Sequence, residues 1–259
     1  HWFIVGLNVK RRADMNLKGN TILITGGSEG IGYALAKILE PENRVIICGR
    51  SEGKLHRAKT ALPSLHTEVC DITDPQARTE IIRRLIRQFP ELNILVNNAG
   101  GKTVTDLQNG EGVHGALQDD LALNFLAPAA LATELLPHFH SRREAAIVNV
   151  TTGLVYLPKA SQAFYCAAKA ALHSYSQSLR WALEGTNVEV YEAMPSLVDT
   201  AFHQGRLPQN LPAISANQAA EAIVEGVRIK RLENRIGKSA LAPWLSLFAP
   251  RRGLALVNR

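Results

Sequence analysis

Short apolar runs rich in β-branched residues alternate along this chain with longer stretches of helical periodicity, and few folds accommodate that alternation. Strands are predicted at residues 21–25, 44–48, 65–70, 92–97, 145–151 and 187–193. Helices are predicted between and after them at 31–39, 52–62, 75–89, 113–139, 162–183 and 217–227. Strands this short and this uniformly apolar are buried on both faces, as in successive β-α-β units. Right-handed crossovers then specify an α/β fold, a single doubly wound parallel sheet with helices on both faces. Ligands of such sheets gather at the carboxyl ends of the strands. With 46% apolar residues in 259, one domain over residues 15–259 is expected to close its own core.

Charge narrows the function classes. The net charge is +6, but residues 15–240 carry 23 basic and 22 acidic side chains, so the excess sits in the tails. No basic stripe with interleaved aromatics crosses the body of the chain, and a nucleic-acid partner is not expected. No apolar stretch approaches the ~20 residues that span a bilayer. Cys48, Cys70 and Cys166 match neither a disulfide framework nor a zinc site, which points to a reducing cytoplasm and implies no metal. Met15 precedes Asn16-Leu17-Lys18-Gly19, a usual lead-in to a first strand. Residues 1–14 are therefore read as an upstream extension, too short in its apolar part to be a secretory signal.

After the first strand comes Thr25-Gly26-Gly27-Ser28-Glu29-Gly30-Ile31-Gly32, with the helical pattern opening inside it. Gly26, Gly30 and Gly32 permit a tight turn and let a pyrophosphate approach amides at a helix N-terminus. Alone, such a turn serves equally as a structural connection. Arg50 follows the second strand, where an adenosine ribose would lie and where NAD-preferring enzymes place a carboxylate. A guanidinium there suits a 2′-phosphate, so NADP(H) is favoured and NAD(H) stays possible, although Arg50 also reads as a solvated turn residue. Asp71 ends the third strand, within reach of an adenine. Residues 201–215 hold two prolines and a glycine before an N-cap at Ser215, and read as a substrate lid or a plain surface connection.

Together these segments resemble the short-chain dehydrogenase/reductase family from Leu17 to about Val227. The resemblance rests on TGGSEGIG, CDITD at 70–74, NNAG at 97–100, Asn124 in LALNFLAP, IVNVTTG at 147–153, Tyr165-Cys166-Ala167-Ala168-Lys169, and Pro195 to Thr200. VIICGRSEGKL, YCAAKAALHSYSQSLR and IGKSALAPW at 236–244 look like its DltE-type subgroup. The resemblance implies a Rossmann-type fold, a homodimer or homotetramer, and hydride transfer between a nicotinamide and a small carbonyl or alcohol substrate. It places Ser28, Ile31, Ile72, Asn98, Ala99, Gly100, Pro195, Val198 and Thr200 at the cofactor beside the residues above.

Tyr165 and Lys169 stand four apart, so on a helix they share a face. A nearby ammonium favours the phenolate, which lets Tyr165 donate and recover a proton as the acid/base. By the resemblance Lys169 also holds the nicotinamide ribose, and Asn124 holds a water in a relay to it; otherwise Asn124 is a solvated helix residue. Thr152 stands thirteen residues before Tyr165, where the family carries a serine on the substrate oxygen. Side chains alternate along a strand, so if the strand continues there at most one of Thr151 and Thr152 should face the substrate, and spacing favours Thr152.

Three departures from the family are notable. Ser196 replaces a usual glycine, which puts the local backbone shape in question. Glu29 should repel a 2′-phosphate. The last family strand normally runs into Asp-Gly-Gly, whereas Arg235-Ile236-Gly237-Lys238 leads into an apolar, Arg-containing tail. Residues 236–259 suit covering a subunit face, closing over the substrate, or resting on a membrane surface. Leu154, Tyr156, Phe164, Phe202 and His203 are candidates for an apolar substrate wall. The competing function is a cofactor-binding regulatory or scaffold protein without turnover.

Overall fold

The computed structural model describes residues 15–110, 113–203 and 212–258; the predicted extension 1–14 and the middle of the predicted lid lie outside them. The chain runs β1 (Thr21–Thr25), α1 (Gly30–Leu39), β2 (Arg44–Gly49), α2 (Glu52–Ala61), β3 (His66–Val69), α3 (Pro75–Gln88) and β4 (Leu92–Asn97). It continues with α4 (Val113–Leu121), α5 (Ala127–His140), β5 (Ala145–Val150), α6 (Ala163–Ala182), β6 (Val188–Pro195), β7 (Val198–Asp199) and β8 (Ile214–Ser215). Last come α7 (Ala216–Arg228), β9 (Glu233–Ile236), α8 (Ala242–Phe248) and α9 (Pro250–Val257). Seven strands form one parallel sheet in the order β3-β2-β1-β4-β5-β6-β9. The order reverses beside β1, which opens a crevice above β1 and β4.

Two-residue alternation divides the strands between two cores. Ile22, Ile24, Val45, Ile47, Ile94 and Val96 face α1, α2 and α7, where Leu35, Leu55 and Ile223 meet them. Leu23, Ile46, Leu95 and Ile147 face the other way, onto Ile81, Leu131, Leu135 and Leu179 of α3, α5 and α6. The helices begin where the chain supplies caps. Asp74 accepts from the amides of Gln76 and Ala77 ahead of Pro75, and Ser215 forms a capping box with Gln218.

Two predicted elements need correction. The helix expected over 113–139 is interrupted by a π-helical turn at Ala122–Leu126. Pro128 has no N–H to offer the carbonyl of Asn124 and its ring crowds that carbonyl, so an α-helical ladder cannot run through. A seventh strand, β9, pairs with β6. Its sequence Glu-Asn-Arg-Ile is too polar to read as a buried strand, and its edge position tolerates that.

Candidate active site

The glycine turn is shaped by what would collide with a side chain. Gly26 and Gly30 have φ of +64° and +57°, a region that disfavours L side chains. A Cβ on Gly32 would lie 2.3 Å from the Gly26 carbonyl oxygen, so this helix start can approach the strand only with glycine there. Thr25 Oγ1 accepts from the amides of Asn98 and Ala99 at 3.0 and 2.9 Å. Asn98 Nδ2 donates back to the Thr25 carbonyl at 3.0 Å. The NNAG segment thus braces the glycine turn from the next strand.

A cleft of about 580 Å³ opens above these strand ends, a size suited to a small-molecule ligand. Gly26, Ser28, Gly30, Ile31, Arg50, Asp71, Ile72, Asn98, Ala99, Gly100, Thr152, Tyr165, Lys169, Pro195, Val198 and Thr200 all line it. Gly32 and Asn124 stand behind the wall. Of the apolar candidates, Leu154 and Phe202 line the cleft, whereas Tyr156 and Phe164 do not. Tyr156 instead packs edge-on against His173, ring centroids 5.5 Å apart, and accepts from Arg235. The His203 side chain is outside the described residues.

Tyr165 and Lys169 come from one turn of α6 and are 7% and 4% exposed. Burial pushes the Tyr165 phenol well above its ordinary range, and hydrogen bonding to the Thr152 hydroxyl pulls it back. Thr151, just past the end of β5, also lines the cleft, but its hydroxyl is engaged, donating to the buried Glu192 carboxylate at 2.5 Å. Burial lowers Lys169 from 10.5 to about 8, against the opposing charge of Glu192, and its ammonium donates to the Val150 carbonyl at 2.8 Å.

Asn124 is not solvated; it is fully buried in the π turn. Its Nδ2 donates to the carbonyls of Gly101 and Asp120, both at 2.9 Å, and its Oδ1 accepts from the Gly101 amide. A Cβ on Gly100 would fall 3.1 Å from Asn124 Oδ1 and 3.7 Å from Lys169 Nζ. Gly100 therefore separates the two polar groups by the width of one backbone.

At the adenosine end, Asp71 is held below the ordinary carboxylate range: burial opposes this, but two hydrogen bonds from Thr73 and the nearby Arg50 charge prevail. Arg50 Nη1 lies 3.9 Å from Asp71 Oδ2. Glu29, expected to repel a phosphate, forms an ion pair with Lys54 at 2.8 Å, so its charge is already answered. Ser196 is accommodated because Gly237 faces it: a Cβ on Gly237, whose φ is +64°, would lie 2.6 Å from Ser196 Oγ.

Several residues of this neighbourhood escaped sequence reasoning. Lys54 sits 25 residues from Glu29, and only its helical register would have hinted at the pairing. Asp120, raised above its ordinary range by burial, accepts from the Thr103 amide and hydroxyl. Its signal was its place one helical turn before Asn124. Glu192 accepts from both Thr151 and His173 Nδ1, the latter at 2.8 Å, and this hydrogen bond holds His173 above its ordinary range. Glu233 approaches the same pair, but Arg180 and Arg235 already face it, which makes an ion-pair set of the three side chains.

The tail closes one side of the cleft. A Cβ on Gly153 would collide with Ser239, and one on Gly253 with Leu157, so the chain from 237 onward packs tightly on the segment after β5. Asn258 accepts from the Ala160 amide at 2.6 Å and donates to the Pro158 carbonyl.

Comparison with known proteins places the chain by family and fold. A family model described as short chain dehydrogenase matches residues 20–210. The "Uncharacterized oxidoreductase DltE" of Bacillus subtilis (strain 168) is 44% identical over 218 residues, 83% of this chain and 86% of that protein. A short-chain dehydrogenase/reductase from Burkholderia phymatum in complex with NAD has a TM-score of 0.81 at 18% identity, covering 95% of this chain and 97% of that one. A short-chain dehydrogenase from Burkholderia cenocepacia J2315 in complex with NADP has a TM-score of 0.79 at 23% identity, covering 94% and 99%. At those identities the two structures speak to the fold.

Proposed function

The chain belongs to the short-chain dehydrogenase/reductase family and is an oxidoreductase, and from that premise we propose that it interconverts a carbonyl and a secondary alcohol with NADP(H), Tyr165 acting as the acid/base. The observation that carries this reading is the convergence of Tyr165, Thr152 and Lys169 in the cleft that also holds the glycine turn. The glycine turn fits a dinucleotide, because its backbone conformation and the close approach at Gly32 leave amides open at the α1 N-terminus. The reduced nicotinamide, when bound, supplies the hydride that reaches the carbonyl carbon.

The protein's own groups handle the proton and the charge. Thr152 and Tyr165 both hydrogen-bond the substrate oxygen, and the phenol, protonated at neutral pH, donates its proton as negative charge develops there. In the oxidative direction the phenolate takes the alcohol proton. Lys169 holds a cation beside the phenol and reaches the ribose hydroxyls from the same helix face. Asn124 fixes the Gly100–Gly101 backbone against Lys169 and orders the relay water. Turnover of a panel of aldehydes and ketones with NADPH and NADH tests the proposal; tight cofactor binding with no turnover on any of them would favour the non-catalytic reading instead.

Preference for NADPH is supported by the guanidinium of Arg50, which is 69% exposed at the cleft rim, and by Lys54 drawing the Glu29 carboxylate onto itself. Arg50→Ala is expected to weaken NADPH binding by roughly 10- to 100-fold, the worth of a charge-assisted bidentate contact. NADH binding should change less than about threefold, since only the 2′-phosphate is addressed. Fluorescence titration with both cofactors measures this; equal losses would remove Arg50 from the discrimination.

A further inference from the structure

The end of the chain has two unlike faces. Inward, Ala242 and Leu245 of α8 and Leu256 and Val257 of α9 line the cleft. Outward, Leu241, Trp244, Leu247 and Phe248 are 60, 64, 72 and 70% exposed. Positions 241, 244 and 248 follow the three-and-four spacing of one helical stripe, and Trp244 stacks on Phe248 with ring planes 15° apart. Large aromatic and aliphatic side chains grouped in this way on a surface mark a contact with something apolar.

Charge identifies the occupant. No Asp or Glu follows Glu233 in the sequence, whereas Lys238, Arg251, Arg252 and Arg259 do. Arg251 and Arg252 of α9 are exposed, and Lys238, also exposed, stands at the cleft. In a two-fold contact with a second copy the patch would meet itself. Each copy would then bring the same cations against the other's, with no Asp or Glu side chain in residues 237–259 to answer them. An anionic bilayer answers both properties: Trp, Phe and Leu enter the zone between headgroups and acyl chains, and Arg and Lys pair with lipid phosphates. We propose that the outer face of α8 and α9 docks this protein on anionic membrane lipid, with the cleft wall formed by the inner face of the same helices held at the bilayer surface. On the oxidoreductase reading, a lipid-dissolved carbonyl substrate then reaches Leu245 and Leu256 without crossing bulk water. The docking itself does not depend on that reading.

The test is co-sedimentation of the full chain with vesicles of phosphatidylcholine alone and of phosphatidylcholine with phosphatidylglycerol in equal parts. Binding is expected to the anionic vesicles at about 50 mM salt and to fall steeply by about 500 mM, where charges are screened within a few ångströms. Trp244→Glu with Phe248→Glu should weaken it about tenfold or more. Turnover of a short, water-soluble carbonyl should be unchanged, because neither side chain lines the cleft. Arg251→Gln with Arg252→Gln should lower binding to the anionic vesicles alone. No binding at low salt overturns the proposal. So does binding that survives both double variants, which would trace it to another part such as residues 1–14 with their Lys10, Arg11 and Arg12. Sedimentation velocity in which Trp244→Glu with Phe248→Glu turns a dimer into monomers, without vesicle binding by the parent, assigns the face to a second copy. A parent chain inactive on every carbonyl leaves the vesicle result standing, so the two readings fail separately.

Discussion

Tyr165→Phe is expected to lower kcat by roughly 10²- to 10⁴-fold, the range for loss of a positioned proton donor, while cofactor affinity stays within about threefold. The substitution removes one hydroxyl and leaves the ring, which packs against Phe202 with centroids 5.7 Å apart. Stability should fall by only about 1 kcal/mol, the net worth of a hydrogen bond such as that to Thr152. Thermal unfolding of the variant therefore separates a chemical defect from a folding one. Activity within about tenfold of the parent chain would defeat the assignment, because no rival phenol lines the cleft among the described residues.

Lys169→Met should produce an unusual pairing: loss of turnover with a gain in stability. Burial holds the folded-state value at about 8, below the ordinary 10.5, so the folded chain resists the proton that the unfolded chain keeps. This penalty is fully present below about 8 and is relieved as pH rises toward 10.5. The shift corresponds to about 3 kcal/mol at neutral pH. Part of that is offset in the variant, since the Val150 carbonyl loses its donor and the buried Glu192 loses a neighbouring cation. A net gain of about 1 to 2 kcal/mol is expected, a rise of about 2 to 8 °C in Tm of the cofactor-free protein. The gain should shrink as pH is raised from 8 toward 10.5. A fall in Tm at pH 7 would show that the ammonium stabilises the fold and that the hydrogen bond outweighs burial. The same protonation predicts that carbonyl reduction by the parent chain slows as pH passes upward through about 8.

The two predictions concern residues separated by one helical turn, and their neighbourhood came from sequence with uneven ease. A period of two in the strands and of 3.6 in the helices yields the parallel sheet, because burial of both sheet faces leaves few other patterns. The choice of Thr152 over Thr151 rested on spacing from Tyr165 and not on alternation, since β5 ends at Val150 and both residues line the cleft. The polar strand β9 was not legible in this way, since its edge position overrides local preference only in the assembled fold, whereas Pro128 signalled a break in the helix beside Asn124 without specifying a π turn.

What local pattern settles in this protein is therefore the architecture and several local features: the glycine turn after β1, the Tyr165–Lys169 spacing, and the cap at Ser215. These depend on residues within a turn or two of one another, whose geometry the backbone dictates. Packing alone decided which charges are answered: Glu29 by Lys54, Glu192 by Thr151 and His173, Glu233 by Arg180 and Arg235. It also decided that the tail lines the cleft with one face and exposes Trp244 and Phe248 on the other. Those pairings join segments brought together only by crossovers of the sheet. Burial, which sets each pKa and each exposed face, is a property of the assembled layers and not of any stretch of chain.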